Sequence, residues 1–195
     1  MADTSAVFKQ VADLLDEVAQ KLKVECVLIT RNTPTHLRIE GTSGPAEKIY
    51  TVGAQQRKGS IFEEQHELYC EHLLNKNLPY LFVRDSRIDP VWDGNEDQVV
   101  FGLVNYFGYP IRDGRGSLFG TICVLHTEPR DYSDEDKAVL QKLQQAAENA
   151  LKFKSRVKTL APVAGSKIVQ PLQQIASTSL KTEPILQPTK VAARA

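Results

Sequence analysis

The chain has 195 residues, 24 Lys and Arg against 24 Asp and Glu, 42% hydrophobic residues and three cysteines. That length suits one domain with a tail, the apolar share is enough for a core, and zero net charge gives no argument for a nucleic-acid or membrane partner. No apolar run approaches the ~20 residues of a membrane span, and three widely spaced cysteines without a signal peptide argue against a disulfide framework and for a reducing cytoplasm.

In chain order, residues 3–23 read as an amphipathic helix, with Phe8, Val11, Leu15, Val18 and Leu22 spaced by three and four. VECVLITR over 24–31 reads as a strand, and 36–40 as its hairpin partner across Asn32-Thr33-Pro34-Thr35. The turn-rich stretch 41–59 has room for a short strand at 48–52. Residues 61–76 read as a helix with Phe62, Leu68, Tyr69, Leu73 and Leu74 on its buried face. PYLFVR (79–84) reads as a strand, 85–92 as a loop and 97–103 as a short helix. Residues 104–111 and 119–125 form the central hairpin across Arg112-Asp113-Gly114-Arg115-Gly116-Ser117, where Asp-Gly is a strong turn signal.

The last helix is expected from Asp134 to about Lys158, with Ser133 as its cap and Asp134, Glu135 and Asp136 in its first turn. Val139, Leu143, Ala146, Ala150, Phe153, Val157 and Leu160 give it a heptad seam. Leu140, Ala147 and Leu151 add a second stripe, which predicts a homodimer through the terminal helices. From Ala161 to Ala195 the chain holds four prolines, is basic and has no sustained period, so it is expected to be a disordered tail behind a domain spanning 1–160.

Four blocks in order carry a family resemblance: Leu68-Tyr69-Cys70-Glu71-His72-Leu73; Pro79 to Trp92; Asn105-Tyr106-Phe107-Gly108-Tyr109-Pro110-Ile111; and Phe119-Gly120-Thr121-Ile122-Cys123-Val124-Leu125. Together they resemble a GAF domain over about residues 5–158, of the variety found as a sensor module in bacterial histidine kinases and diguanylate cyclases. His126 stands where such modules often carry Asp. The resemblance implies an α/β fold with a central, mainly antiparallel sheet, terminal helices on one face and a ligand cleft on the other.

Candidate chemistry is sparse. Asp85, Asp89 and Trp92 lie in a loop after a strand, beside the expected cleft. There the carboxylates suit hydrogen bonding to a ligand and the indole suits stacking, although Asx turns and a core plug explain the same residues. Cys70, Asn105, Tyr106, Thr121 and Cys123 are further candidates for lining the cleft. His66 and Cys70 share a helix face near His72, but a zinc site needs more ligands and no C-x-x-C supplies them, so no metal is expected. Bilin-attaching GAF domains usually carry adjoining Cys and His, whereas Glu71 separates Cys70 from His72. Gly114 to Gly120 is one residue too long for G-x-G-x-x-G and leads into a strand, which leaves it a turn.

Three function classes follow. The first is a stand-alone, non-catalytic sensor of a small molecule or signal, acting through a signalling partner in trans. The second is a protein–protein interaction and dimerisation module with a degenerate pocket. The third is a thiol-based free methionine-R-sulfoxide reductase, an enzyme of this fold whose cysteine-bearing loop motifs are absent here. The sequence names no cofactor.

Overall fold

A computed structural model describes residues 5–59 and 67–160. The helical start is broken: α1 spans Ser5–Phe8, a 3-10 turn Lys9–Val11, and α2 Ala12–Leu22. Strands β1 (Cys26–Asn32), β2 (His36–Ser43) and β3 (Gln55–Arg57) follow, then α3 (Tyr69–Asn75), β4 (Leu81–Val83), α4 (Glu96–Phe101), β5 (Asn105–Arg112), β6 (Leu118–His126) and α5 (Asp134–Leu160). The six strands form one sheet in the order β3-β2-β1-β6-β5-β4, with every pairing antiparallel.

Two expectations shift. Residues 45–48 form a 3-10 turn, and the short strand comes later, at β3. Pro45 stands at the start of that turn, where its fixed φ suits helix and not a ladder. Helix α3 starts at Tyr69; the earlier part of the expected helix, with Phe62 and His66, lies outside the described residues, as does the tail from 161.

Period-2 alternation gives the sheet two different faces. Val27, Ile29, Ile122, Val124, Phe107, Tyr109 and Ile111 point to one side and pack under Phe8, Val11, Leu15, Val18 and Leu22 and under Leu140, Leu143, Ala147 and Leu151 of α5. Cys26, Leu28, Tyr106, Cys123 and Leu125 point to the other, under Leu68, Tyr69, Cys70, Leu74, Trp92 and Leu103. The β1–β6 seam is tight: a Cβ on Gly120 would land in the Thr30 carbonyl oxygen. In the β5–β6 loop, Asp113 Oδ1 accepts from the Arg115 and Ser117 amides (2.8 and 3.0 Å), while Gly116, not Gly114, takes the positive φ of 82°. A reciprocal cap starts α5: Ser133 Oγ accepts from the Asp136 amide and Asp136 Oδ2 from the Ser133 amide, both at 3.1 Å.

The wide apolar stripe of α5 is used within one chain. Val139, Leu140, Leu143, Ala147, Ala150 and Leu151 are all buried here. That corrects the argument for a dimer from a spare second stripe: α5 lies on the sheet and against α2 at once, and needs both stripes for it. Phe153, 64% exposed, is the apolar residue left over; the side chains of Val157 and Leu160 lie outside the described residues.

Candidate functional site

The cleft face is organised by the first turn of α3 lying across β5 and β6. Gly108 makes room for it. A Cβ there would sit 2.5 Å from the Tyr106 hydroxyl and 2.9 Å from Cys123 Cβ, so the bare backbone lets the Tyr106 ring lie over the sheet. Tyr69 stacks on Tyr106 (centroids 4.7 Å, 24°), Trp92 packs on Tyr69 (4.8 Å), and His72 meets the indole edge-on (5.1 Å). The result is a column of rings from the sheet to the loop before α4. Asn95 fastens its outer end by donating to Tyr69 Oη (2.6 Å) and to the Trp92 carbonyl (2.8 Å). The same side chain caps α4 through the Gln98 amide.

Under the column lies a set of polar groups. Cys70 Sγ is 3.7 Å from Cys123 Sγ and 3.4 Å from Tyr106 Oη. Thr30 and Thr121 join their hydroxyls across β1 and β6 at 2.7 Å. Burial pushes the Cys123 thiol well up, while Cys70 is held lower by its contact with Cys123 and by the Thr121 and Tyr106 hydroxyls. Cys26, buried along the same face, is also pushed up by desolvation. Beside these groups, Tyr50 Oη donates to Asp97 Oδ1 at 2.6 Å. Gln56 lies close enough to ease the Asp97 charge, yet its Nε2 has no well-formed hydrogen bond. Leu28, Thr30, Cys70, Asp97, Gln56 and Tyr106 line what space remains, a cavity of about 20 Å³, room for one water.

Of the residues singled out in the sequence, the structure brings together Cys70, Tyr106, Thr121 and Cys123, with Trp92 joined through Tyr69. It does not bring the other three to them. Asp85 is spent on its own loop, accepting from the Arg87 amide (3.1 Å) and from the guanidinium at 2.8 and 2.9 Å; that guanidinium holds its carboxyl below the usual range. Asp89 accepts from the Val91 amide at 2.9 Å. Asn105 has the parity of Phe107 and Tyr109 and so faces away from the cleft, which corrects its assignment. Its Nδ2 donates to the carbonyls of Val83, Arg84 and Arg130, and its Oδ1 accepts from Tyr132 Oη. His66 lies outside the described residues, and among those described no three His, Cys, Asp or Glu side chains converge to hold a metal.

Sequence reading missed Asp97, Tyr50, Gln56, Thr30 and Asn95. Asn95 had a signal: Gly94-Asn95-Glu96-Asp97 is a capped helix start. Asp97 had none, because an acid in a first turn normally faces water.

Asp97 gives the site a pH dependence. Desolvation raises its carboxyl from 3.8 to about 6. Below the unfolded value the acid is protonated in both states. Between about pH 4 and 6 only the folded chain keeps the proton, so stability falls as pH rises through that window. The loss is complete above it, at about 3 kcal/mol for a shift of this size. Urea unfolding at about pH 4.5 and 7.5 is expected to show roughly two-thirds of this fall for the native chain and a smaller one for Asp97→Asn.

A six-stranded antiparallel sheet with terminal helices on one face, and a helix and loops covering the other, defines an α/β domain. The family model of the GAF domain matches residues 9–151, and the chain belongs to that family. No curated protein matches the sequence. Among solved structures it is similar to the GAF domain of an Acinetobacter phosphoenolpyruvate-protein phosphotransferase, at 12% identity and TM-score 0.57, over 80% of this chain and 87% of that one. Free methionine-R-sulfoxide reductase from Neisseria meningitidis, in complex with its substrate, is similar at 12% identity and TM-score 0.59, over 78% and 82%. The phycocyanobilin-bound GAF domain of a cyanobacterial phytochrome is similar at 16% identity and TM-score 0.56, over 78% and 87%. Likeness at these identities shows the shared fold. No helix among the described residues is long and apolar enough to cross a membrane.

Proposed function

We propose that the chain is a non-catalytic regulatory module that reads a small molecule or signal state over the floor formed by Cys70, Tyr106, Thr121 and Cys123, and relays it through its terminal helices to a partner protein in the cytoplasm. One observation carries this reading: thiols, hydroxyls and the Asp97 carboxyl gather on an otherwise apolar sheet face, around a residual cavity, under a single aromatic column. Buried polar groups cost free energy unless partnered, and packing alone has no use for them. A ligand enters by displacing Trp92, which sits on a loop and not on the sheet. Native mass spectrometry of the full chain from its own source tests this. The expected spectrum shows a small molecule retained by the native chain and lost from Thr121→Leu; bare polypeptide in both cases counts against the proposal.

The column also favours a second reading, an interaction module whose pocket its own side chains fill. Dimerisation then rests on the end of α5, where Phe153 is exposed. Under that reading Phe153→Glu is expected to convert a dimer into a folded monomer by light scattering. A monomeric native chain at tens of micromolar would reject it.

Catalysis is not part of the proposal, although Cys70 and Cys123 touch. Nucleophilic thiols draw their thiolate from a nearby cation or base, whereas Cys70 is lowered by the Cys123 thiol and two hydroxyls against the opposing Asp97 carboxyl, and Cys123 is pushed up by burial. With free methionine sulfoxide and a thiol reductant, turnover is expected to stay below about 1 per second, the low end of ordinary enzyme rates. A faster rate, lost in Cys70→Ser, would make the chain a reductase.

A further inference from the structure

A second cavity of about 330 Å³ opens on the helix side of the sheet, opposite the cleft, between β4 and the start of α5. Five rings build it. Phe107 of β5 lies flat against Tyr132 (5.1 Å, 23°), and Phe82 of β4 stands edge-on to both at 6.0 Å. Tyr109 stands across Phe107 at 5.1 Å, and Tyr80 closes the far side, 6.4 Å from Tyr109. The inner rings are buried, but Tyr80 and Phe82 remain 54% and 38% exposed. Two exposed aromatics at a sheet edge, Phe82 in β4 and Tyr80 just before it, are a liability unless something covers them.

Two charged side chains complete the lining, each in an exposed ion pair. Asp131 accepts from Arg84 Nε at 3.0 Å. Lys137, in the first turns of α5, donates to Asp134, whose side chain is 99% exposed. A surface pair of that kind contributes little, so the ammonium is free to turn to a better partner. It already lies near the Tyr109 phenol, whose ionised form it favours against the desolvation that raises that group. With the Asp131 carboxylate taken up by the Arg84 guanidinium, the Lys137 ammonium disfavours a cationic guest, which the rings alone would accept.

We propose that this cavity binds a planar aromatic anion of one or two rings, with its rings between the aromatic side chains and its carboxylate on Lys137. The volume falls at the small end of ligand pockets. The guest would bridge the β4–β5 edge to α5, independently of whatever occupies the cleft.

Calorimetric titration of the full chain with 2-naphthoate, neutral 2-naphthylmethanol and cationic 2-naphthylmethylammonium tests the proposal. Naphthoate is expected to bind best. Lys137→Met should weaken it about tenfold, the scale of one charge-assisted contact, while leaving the neutral compound and the melting temperature unchanged. Tyr80→Ser should weaken both compounds. No saturable binding of naphthoate below about 1 mM, equal binding of the cation, or indifference to Lys137→Met would overturn the proposal. So would naphthoate binding that is lost in Thr121→Leu but kept in Tyr80→Ser, which places the guest in the cleft. Light scattering covers the remaining occupant: a native dimer that Tyr80→Ser splits would mean a second copy fills the groove, and the proposal would fall.

Discussion

Trp92→Ala is expected to destabilise the domain by about 3–5 kcal/mol, the usual cost of truncating a buried large aromatic. The indole is 5% exposed and lies between Tyr69 and His72. Removing it exposes the outer face of the Tyr69 ring, while the backbone carbonyl that Asn95 holds is kept. At roughly 2–4 °C per kcal/mol for a domain of this size, the midpoint should fall by about 6–20 °C. Trp92→Phe keeps a ring in the column and should lose much less. If urea unfolding shows a loss under about 1 kcal/mol for Trp92→Ala, the indole is no plug, and the cleft is open in solution in a way the column does not allow.

Asn105→Ala is expected to be comparably severe, at about 3 kcal/mol or more, because each buried group left without a partner costs about 1–3 kcal/mol. Four partners lose their bond at once. They are three backbone carbonyls, at 3.1, 3.0 and 2.9 Å, and the Tyr132 hydroxyl at 2.6 Å. This side chain ties the end of β4 to the loop before α5, two segments with no ladder between them. Asn105→Asp should rescue little, since a carboxylate would then face those carbonyls. Tyr132→Phe gives the scale for the single hydroxyl. Denaturant midpoints for the three variants should therefore order as Tyr132→Phe above both Asn105 variants.

The strands and helices were legible because their apolar spacing is regular. VECVLITR, NYFGYPI and FGTICVL read as strands, and Phe8 to Leu22 as a helix face, from pattern alone. Which strand face meets which layer was not legible, because β1, β5 and β6 are apolar on both faces and alternation carries no sign. Asn105 and Tyr106 show the consequence: adjacent in sequence and equally plausible at a cleft, they point to opposite sides of the sheet. The loop candidates were ambiguous for another reason. Asp85 and Asp89 are the right residues for a ligand and equally right for turns, and the backbone amides and Arg87 claimed them first. Asp97 escaped notice because its burial depends on Tyr50, 47 residues away in sequence. The contact of Cys70 with Cys123 likewise depends on how α3 crosses the sheet.

Trp92 is the one tryptophan of the chain, so its emission reports the cleft without interference. The most direct test of the central claim is to titrate the full chain with small-molecule fractions from its own source, following tryptophan emission and melting temperature together. A fraction that raises the melting temperature is expected to shift the emission to longer wavelength in a saturable way, as the indole leaves Tyr69 for water. Stabilisation with unchanged emission, or no active fraction at all, would contradict a cleft that is read by moving Trp92.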